Sequence, residues 1–175
     1  MRGKAFAVKQ ARKVLNQYRS AHKDNFNLGD YRIDPQEIAD SLNISVVPHN
    51  FSDNISGVFF RKNGKLYLGV NSSQHEHRQR FTIAHEIGHY ILHSQETLHY
   101  DTHHDTHPSE VSFRADNISS FEETEANHFA AELLMPEDSV QELIESGVTS
   151  IQELAEKFDV SKDAMQYRLV NLGYL

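Results

Sequence analysis

Cysteine is absent from the 175 residues of this chain. Its absence excludes disulfides and thiolate metal sites, so any metal must be held by His, Asp or Glu side chains. Long apolar runs are also absent, and no stretch approaches the roughly 18 to 20 residues that a membrane-spanning helix needs. The basic N-terminus is followed by no apolar stretch or small-residue cleavage site. We therefore expect a cytoplasmic protein without a signal peptide and without a membrane partner.

Positive charge is scarce, because 17 Lys and Arg residues face 25 Asp and Glu residues and the formal net charge is −8. Phosphate backbones repel such a protein, which argues against nucleic acid as a direct partner. Histidine is abundant, with 12 residues. We interpret the polar segment 95–120 as a flexible, hydrated loop rather than a metal site, although it contains a cluster of four histidines, namely His99, His103, His104 and His107.

Apolar residues at helical spacing predict helices over about 4–20, 73–94, 122–135, 137–146, 150–158 and 162–171. Asp34-Pro35 predicts the start of a further helix, with Asp as the N-cap and Pro at the first position. Two apolar runs around Asn63-Gly64 predict a β-hairpin over 57–70. We expect an α+β fold with a mostly helical core, a small antiparallel sheet and a helix-turn-helix-like end. Residues 1–136 are predicted to form the core, and 137–175 a helical subdomain packed on it.

The residues from His85 to His89 form an H-E-x-x-H motif on a predicted helix. Positions four apart share one helix face, so the two imidazoles can converge on one zinc ion. Glu86 lies on a neighbouring face and can reach a metal-bound water without binding the ion, which is the position of a general base. Chance alone supplies such a motif in roughly one of fifteen chains this rich in histidine. Gly88 costs about 1 kcal/mol inside a helix, which indicates a packing reason for it.

A catalytic zinc ion usually has three protein ligands and a water. The helix predicted at 122–135 offers Glu123, which we favour, and Glu125 on another face as its competitor. Glu123 precedes Asn127 by one turn, and the Asn127 amide can orient a ligating histidine. His93 is not expected to share the ion with His85, because two helical turns of about 12 Å separate them. Zinc is the expected metal, and Mn²⁺ or another divalent ion is also compatible with these ligands.

Two stretches resemble the ImmA/IrrE family of metallopeptidases: RFTIAHEIGH at 80–89 and ETEANHFAAELLMP at 123–136. The start of the hairpin at 56–58 and the ending at 160–173 are similar to that family as well. The resemblance implies a zincin-like protease core with the gluzincin-like ligands His85, His89 and Glu123, and with Glu86 as the catalytic glutamate. It also implies an endopeptidase of stress or mobile-element regulation that cleaves a helix-turn-helix repressor or an antitoxin-like partner.

Other assignments stay open at this point. Tyr67, His93 and the loop histidines are candidates for stabilising the oxyanion. The hairpin is equally consistent with core sheet and with an edge that binds an extended peptide. The alternative function is a non-enzymatic DNA- or protein-binding regulator with a structural metal. Two features disfavour it. Residues 149–175 contain three basic side chains against four acidic ones, and structural zinc sites usually have four protein ligands, often cysteine.

Overall fold

The computed structural model describes residues 3–22, 31–51, 55–93 and 120–175. Within these ranges the chain forms seven helices and a three-stranded sheet, which confirms the predicted α+β class. The helices are α1 (Gly3–Ala21), α2 (Pro35–Ser41), α3 (Glu76–His93), α4 (Ser120–Leu134), α5 (Glu137–Glu145), α6 (Ile151–Phe158) and α7 (Lys162–Leu172). The strands are β1 (Ile44–His49), β2 (Gly57–Lys62) and β3 (Lys65–Asn71). The predicted loop 95–120 and its histidines fall almost wholly outside the described residues.

The sheet has the order β1-β3-β2. Strands β2 and β3 form the predicted antiparallel hairpin, and its turn residues Asn63 and Gly64 both have positive φ, as a tight hairpin turn requires. Strand β1 pairs with β3 in parallel, with Val46 opposite Leu68, so the whole sheet is mixed. Because β3 is central, β2 and β1 form the two edges of the sheet.

The core lies between the sheet, α1, α3 and α4. Helix α1 turns its small residues Ala7 and Ala11 inward, and both are fully buried. Small side chains at successive turns let helices pack closely, which brings α1 against α4. Leu68 on the sheet and Ile87 on α3 are also fully buried and close the core from the other side.

Short polar side chains begin three of the helices, as predicted for the one that starts after Asp34. Asp34 accepts a hydrogen bond from the backbone N–H of Gln36, and Pro35 takes the first helical position of α2. Ser161 caps α7 by accepting from the N–H of Ala164 at 3.1 Å, and Ser150 caps α6 in the same way. Between α6 and α7 the chain turns through Asp159 in the left-handed conformation. This turn gives the C-terminal segment its helix-turn-helix-like form.

A buried ion pair joins the C-terminal helices to the core. The Arg168 guanidinium on α7 contacts Glu132 on α4, and its Nε donates to the carbonyl oxygen of Met135 at 2.9 Å. Arg12 on α1 also contacts Glu132, at 2.7 Å. The division of the chain at Pro136 into two subdomains stays a prediction.

None of the helices among the described residues is long and apolar enough to cross a membrane. The cytoplasmic location expected from the composition stays a prediction.

Candidate metal centre

Helix α3 presents His85 and His89 on one face, one turn apart. The Nε2 atoms of the two rings are 3.1 Å apart, and the ring planes meet at 77°. His89 is 2% exposed, while His85 is partly accessible. The two nitrogens therefore point at one common position that solvent can reach from the His85 side.

Glu123 on α4 brings a carboxylate to the same position. Its Oε1 lies 3.0 Å from His89 Nε2, and its Oε2 lies 3.3 Å from His85 Nε2. Donor atoms about 2.0 to 2.1 Å from a tetrahedrally coordinated zinc ion are about 3.3 Å apart. Each of these two distances, and the 3.1 Å between the two nitrogens, is thus close to that tetrahedral edge length, with a different carboxylate oxygen facing each histidine. Among the described residues the three side chains form a group that can hold a metal ion.

The electrostatics of the cluster favour an ionised Glu123. Its hydrogen bond with His85 lowers the pKa of the carboxyl to about 2 from an ordinary 4.5. Partial burial acts in the opposite direction, and the charges of His85 and His89 add to the lowering. Glu123 is consequently a carboxylate over the whole physiological pH range, which is the form that binds a metal.

Asn127, one turn after Glu123, contacts the far side of the His85 ring. Its Oδ1 lies 3.0 Å from His85 Nδ1. With an N–H at Nδ1 donating to this oxygen, the Nε2 atom keeps its lone pair for the metal. The structure thus brings together the Asn127 amide and the histidine that it is predicted to orient.

Glu125 lies elsewhere. It is 3% exposed, and its Oε2 is 3.6 Å from His93 Nε2, while its Oε1 is buried without a hydrogen-bond partner among the described residues. The His93 ring lies 5.6 Å from that of His89, one turn further along α3. Glu125 and His93 therefore flank the cluster, and Glu123 is the carboxylate that the structure places at the two histidines.

Gly88 explains how α3 and α4 come close enough to share these donors. A Cβ atom at this position would lie 3.1 to 3.2 Å from three atoms of Phe129 on α4. Phe129 is fully buried, so it has little freedom to move. The close contact with Phe129 is the packing reason for a glycine that the sequence indicated. The lack of a side chain at Gly88 sets the distance between α3, which carries the histidines, and α4, which carries Glu123.

Glu86 lies beneath the first residue of the edge strand β2. It is 8% exposed. A Cβ atom at Gly57 would lie 2.7 Å from Cγ2 of Thr82 and 3.3 Å from Cγ of Glu86. Gly57 belongs to the stretch 56–58 that resembles the family, and no role is predicted for it from the sequence. A glycine at the start of a strand was the available signal, because it often marks the close approach of another group.

Tyr67 lies on the side of the sheet that faces away from α3. Its ring stacks on Phe60 at 5.1 Å. The buried positions Leu66 and Leu68 flank it and point to the opposite side, where Phe59 packs against Tyr90 of α3. This placement does not bring Tyr67 to the metal donors, so it does not support the suggested role at the oxyanion.

A second group of possible metal donors joins α3 to the turn between α6 and α7. Glu76, His77 and Asp159 each offer an atom within 4.8 Å of the others. The Asp159 carboxylate, however, already contacts Arg32 Nε at 2.9 Å and Arg80 Nε at 3.2 Å. These two guanidinium groups would repel a metal ion. The ion pairs of Asp159 instead hold the turn between α6 and α7 against the core.

Residues 39–170 match the family model described as the IrrE N-terminal-like domain of the peptidase M78 group. Over 103 residues the chain is 37% identical to the radiation response metalloprotease IrrE of Deinococcus radiodurans, covering 57% of this chain and 29% of that protein. It is 31% identical over 103 residues to the uncharacterized immunity region protein 2 of Bacillus phage phi105, covering 59% of each chain. The chain thus spans less than two thirds of these relatives.

Among solved structures, a Mycobacterium tuberculosis transcriptional regulator is similar in fold, with a TM-score of 0.58 and 17% sequence identity. The similarity covers 93% of this chain and 46% of that one. At this level of identity the likeness concerns the fold alone.

Proposed function

Because the chain belongs to the ImmA/IrrE family, as its match to the IrrE N-terminal-like domain shows, we propose that it is a zinc-dependent endopeptidase acting on a protein substrate. The family was predicted from two sequence motifs, and that prediction is confirmed. One observation carries the proposed activity. The donors of His85, His89 and Glu123 lie close enough together to bind a single ion. Glu86 is the residue directly after His85 on α3.

The donor set fits a catalytic metal better than a structural one. His85, His89 and Glu123 would be the ligands, which leaves the fourth position of a tetrahedral ion open. When bound, zinc would polarise the scissile carbonyl and lower the pKa of a coordinated water. Imidazole and carboxylate ligands suit zinc, and they also accept manganese and other divalent ions.

The residues of the chain supply the proton transfers. Glu86 would take a proton from the attacking water and pass it to the nitrogen of the leaving amine, so that one carboxylate acts first as base and then as acid. Its burial under Gly57 of β2 keeps it out of open solvent. Asn127 would keep the His85 ring in the tautomer that presents Nε2.

Strand β2 would align the substrate. Within the described residues it pairs with β3 on one side only, so its other edge is available for an added strand. The strand begins at Gly57, directly above Glu86. An extended peptide hydrogen-bonded to this edge would pass over the general base, in the manner of β-strand addition.

We propose a helix-turn-helix repressor or an antitoxin-like protein as the substrate. The family resemblance of the two motifs implies such a substrate, and two relatives are named for a radiation response and for an immunity region of a phage. A protein partner agrees with the acidic charge of the chain, which disfavours direct binding to DNA.

The test is cleavage of a panel of purified small helix-turn-helix proteins, starting with any encoded beside this gene, by zinc-loaded protein. Glu86→Gln removes the proposed base and should lower the rate by about 10² to 10⁴-fold, the typical contribution of such a group. Glu76→Gln is the matched control, because it makes the same change at an exposed position of α3. Cleavage by Glu86→Gln at the wild-type rate, with equal zinc content, would refute the mechanism. No cleavage of any panel member by the wild type would refute the substrate class.

A further inference from the structure

A groove of about 620 Å³ lies between α4 and α7 and extends to the start of α3. Its apolar wall is formed by Ala131 and Leu134 of α4, by Ala164 and Tyr167 of α7, and by Phe81 of α3. The volume is within the range of about 300 to 1,000 Å³ that binding pockets usually have. The proposed catalytic steps make no use of this space.

The walls of the groove repeat at helical spacing. The lining positions on α4 recur every three or four residues from Thr124 to Met135, and those on α7 recur in the same way from Ala164 to Asn171. Each of the two helices thus turns one stripe of lining residues toward the other. The small residues Ala131 and Ala164 leave the space between the two stripes open. A third helix with apolar residues at the same spacing fits such a slot.

The groove lies next to the metal centre, although none of the three metal donors lines it. Asn127 lines the groove, and the same side chain holds His85 Nδ1 at 3.0 Å. Phe81 also lines it, and its ring lies 6.2 Å from the ring of His85. A polypeptide bound at the metal donors would therefore have the groove close by, on the other side of His85.

An exposed aromatic side chain, that of Tyr167, lies at the outer rim of the groove. Tyr167 lines the groove and is 73% exposed. Tyrosine is enriched among the residues that dominate binding energy at protein interfaces. Val170, also on α7 and 53% exposed, does not line the groove.

The charge of the lining is opposite in sign to that of the whole chain. Two arginines, Arg78 and Arg168, line the groove against a single carboxylate, Asp163, whereas the formal net charge is −8. The pKa of His128 is lowered by burial and by the nearby charges of Lys4 and Arg168, which is consistent with a positive potential there. An occupant with acidic residues beside its apolar ones would complement this lining.

We propose that the groove is an exosite that binds a helical segment of the protein substrate while the scissile bond lies at the metal centre. Apolar side chains of that segment pack between Ala131 and Tyr167, and its acidic residues lie toward Arg78. The identity of the occupant rests on the proposed protease function, since only a substrate must reach both places. The helix-turn-helix-like segment of this chain would then recognise protein through α7.

The exosite is tested by peptide binding to the full chain carrying Glu86→Gln, without added zinc. The probe is a fluorescein-labelled 16-residue peptide with leucines at positions i, i+3, i+4 and i+7 and glutamates on the remaining face, followed by fluorescence anisotropy. A scrambled peptide of the same composition and a version with lysines for glutamates are the controls. We expect the striped acidic peptide to bind at least tenfold more tightly than either control.

Three variants locate the binding. Tyr167→Ser should weaken it about tenfold, the scale of an interface residue worth more than about 1 kcal/mol. Val170→Ser, an apolar-to-serine change on the same helix outside the groove, should leave it unchanged. Arg78→Glu should weaken binding of the acidic peptide and strengthen binding of the lysine version. Equal binding of striped and scrambled peptides, or an equal effect of the two serine variants, would overturn the proposal.

The outcome separates the exosite from the protease activity, because binding requires neither metal nor Glu86. A chain that binds the striped peptide in the groove but cleaves no protein keeps the groove as a helix-binding site, and it loses both the proposed function and the substrate as the occupant. If a protein substrate is cleaved, Tyr167→Ser should raise its KM while leaving cleavage of a short unstructured peptide unchanged. An unaltered KM for the protein would refute the exosite and leave the protease standing.

Discussion

Replacing Gly88 by alanine tests how closely α3 and α4 must approach to build the metal centre. Gly88 lies between the two histidines on α3 and faces Phe129 on α4. The added Cβ atom would be 3.1 to 3.2 Å from the Phe129 side chain, so one of the two helices has to give by a few tenths of an ångström. Because Glu123 is on α4, that displacement moves it away from His89, to which it now lies at 3.0 Å.

Two opposing terms set the effect of Gly88→Ala on stability. Alanine in place of a helical glycine gains about 1 kcal/mol, and forcing a methyl group into a packed core costs about 1 to 3 kcal/mol. We therefore expect the free energy of unfolding of the metal-free protein to fall by between about zero and 2 kcal/mol. Zinc affinity should fall further, by about 10 to 100-fold, as it does when the support of a metal ligand is disturbed.

The assay is urea denaturation of the metal-free protein combined with zinc titration against a chelator of known affinity. Phe129→Leu, alone and together with Gly88→Ala, completes a double-mutant cycle. The smaller leucine should restore part of the zinc affinity that Gly88→Ala loses, since it relieves the contact. If Gly88→Ala binds zinc as tightly as the wild type and is also more stable, the close approach of the two helices is not what positions Glu123.

Further expectations concern single side chains. Glu123→Gln should lower zinc affinity by at least tenfold, while Glu125→Gln should leave it unchanged, as measured by the same chelator competition. Asn127→Ala should lower zinc affinity by about 10 to 100-fold, because His85 loses the side chain that orients its ring. Arg168→Met should destabilise the chain toward the lower end of about 3 to 5 kcal/mol in urea denaturation, since its buried carboxylate partner keeps a second arginine. The pKa of Glu123 is lowered to about 2 in the folded chain, so its contribution to the stability of the metal-free protein is present above the unfolded value of 4.5 and is lost as the pH falls toward 2. The difference in unfolding free energy between wild type and Glu123→Gln should therefore shrink over that range, and a difference independent of pH would contradict the assigned cause.

Local sequence signals were sufficient to predict most of the helices and strands. Helix α2 begins where Asp34-Pro35 predicts it, and the hairpin turns at Asn63-Gly64, because each of these residue pairs satisfies a local backbone requirement. The H-E-x-x-H spacing likewise needs only the geometry of one helix to bring His85 and His89 together.

Contacts between segments that lie far apart in the sequence were harder to predict. The parallel pairing of β1 with β3 joins residues 22 positions apart, as with Ile44 and Leu66, and nothing in the local pattern of either strand specifies the partner. The approach of Gly57 to Glu86 depends in the same way on the packing of the sheet against α3. The orientation of α4 decides between Glu123 and Glu125, so the sequence alone left both open. The groove beside α7 arises only when three helices pack, and its lining is therefore spread over residues 75–171.

The central claim is that His85, His89 and Glu123 bind one zinc ion and leave it an open position. It is tested most directly by anomalous diffraction at the zinc absorption edge, from crystals of the protein grown with one equivalent of zinc. We expect a single anomalous peak about 2.0 to 2.1 Å from the Nε2 atoms of His85 and His89 and about 2.0 to 2.2 Å from a Glu123 oxygen, with no fourth protein ligand. A peak at His93 and Glu125 instead, or a fourth protein side chain closing the coordination sphere, would contradict it.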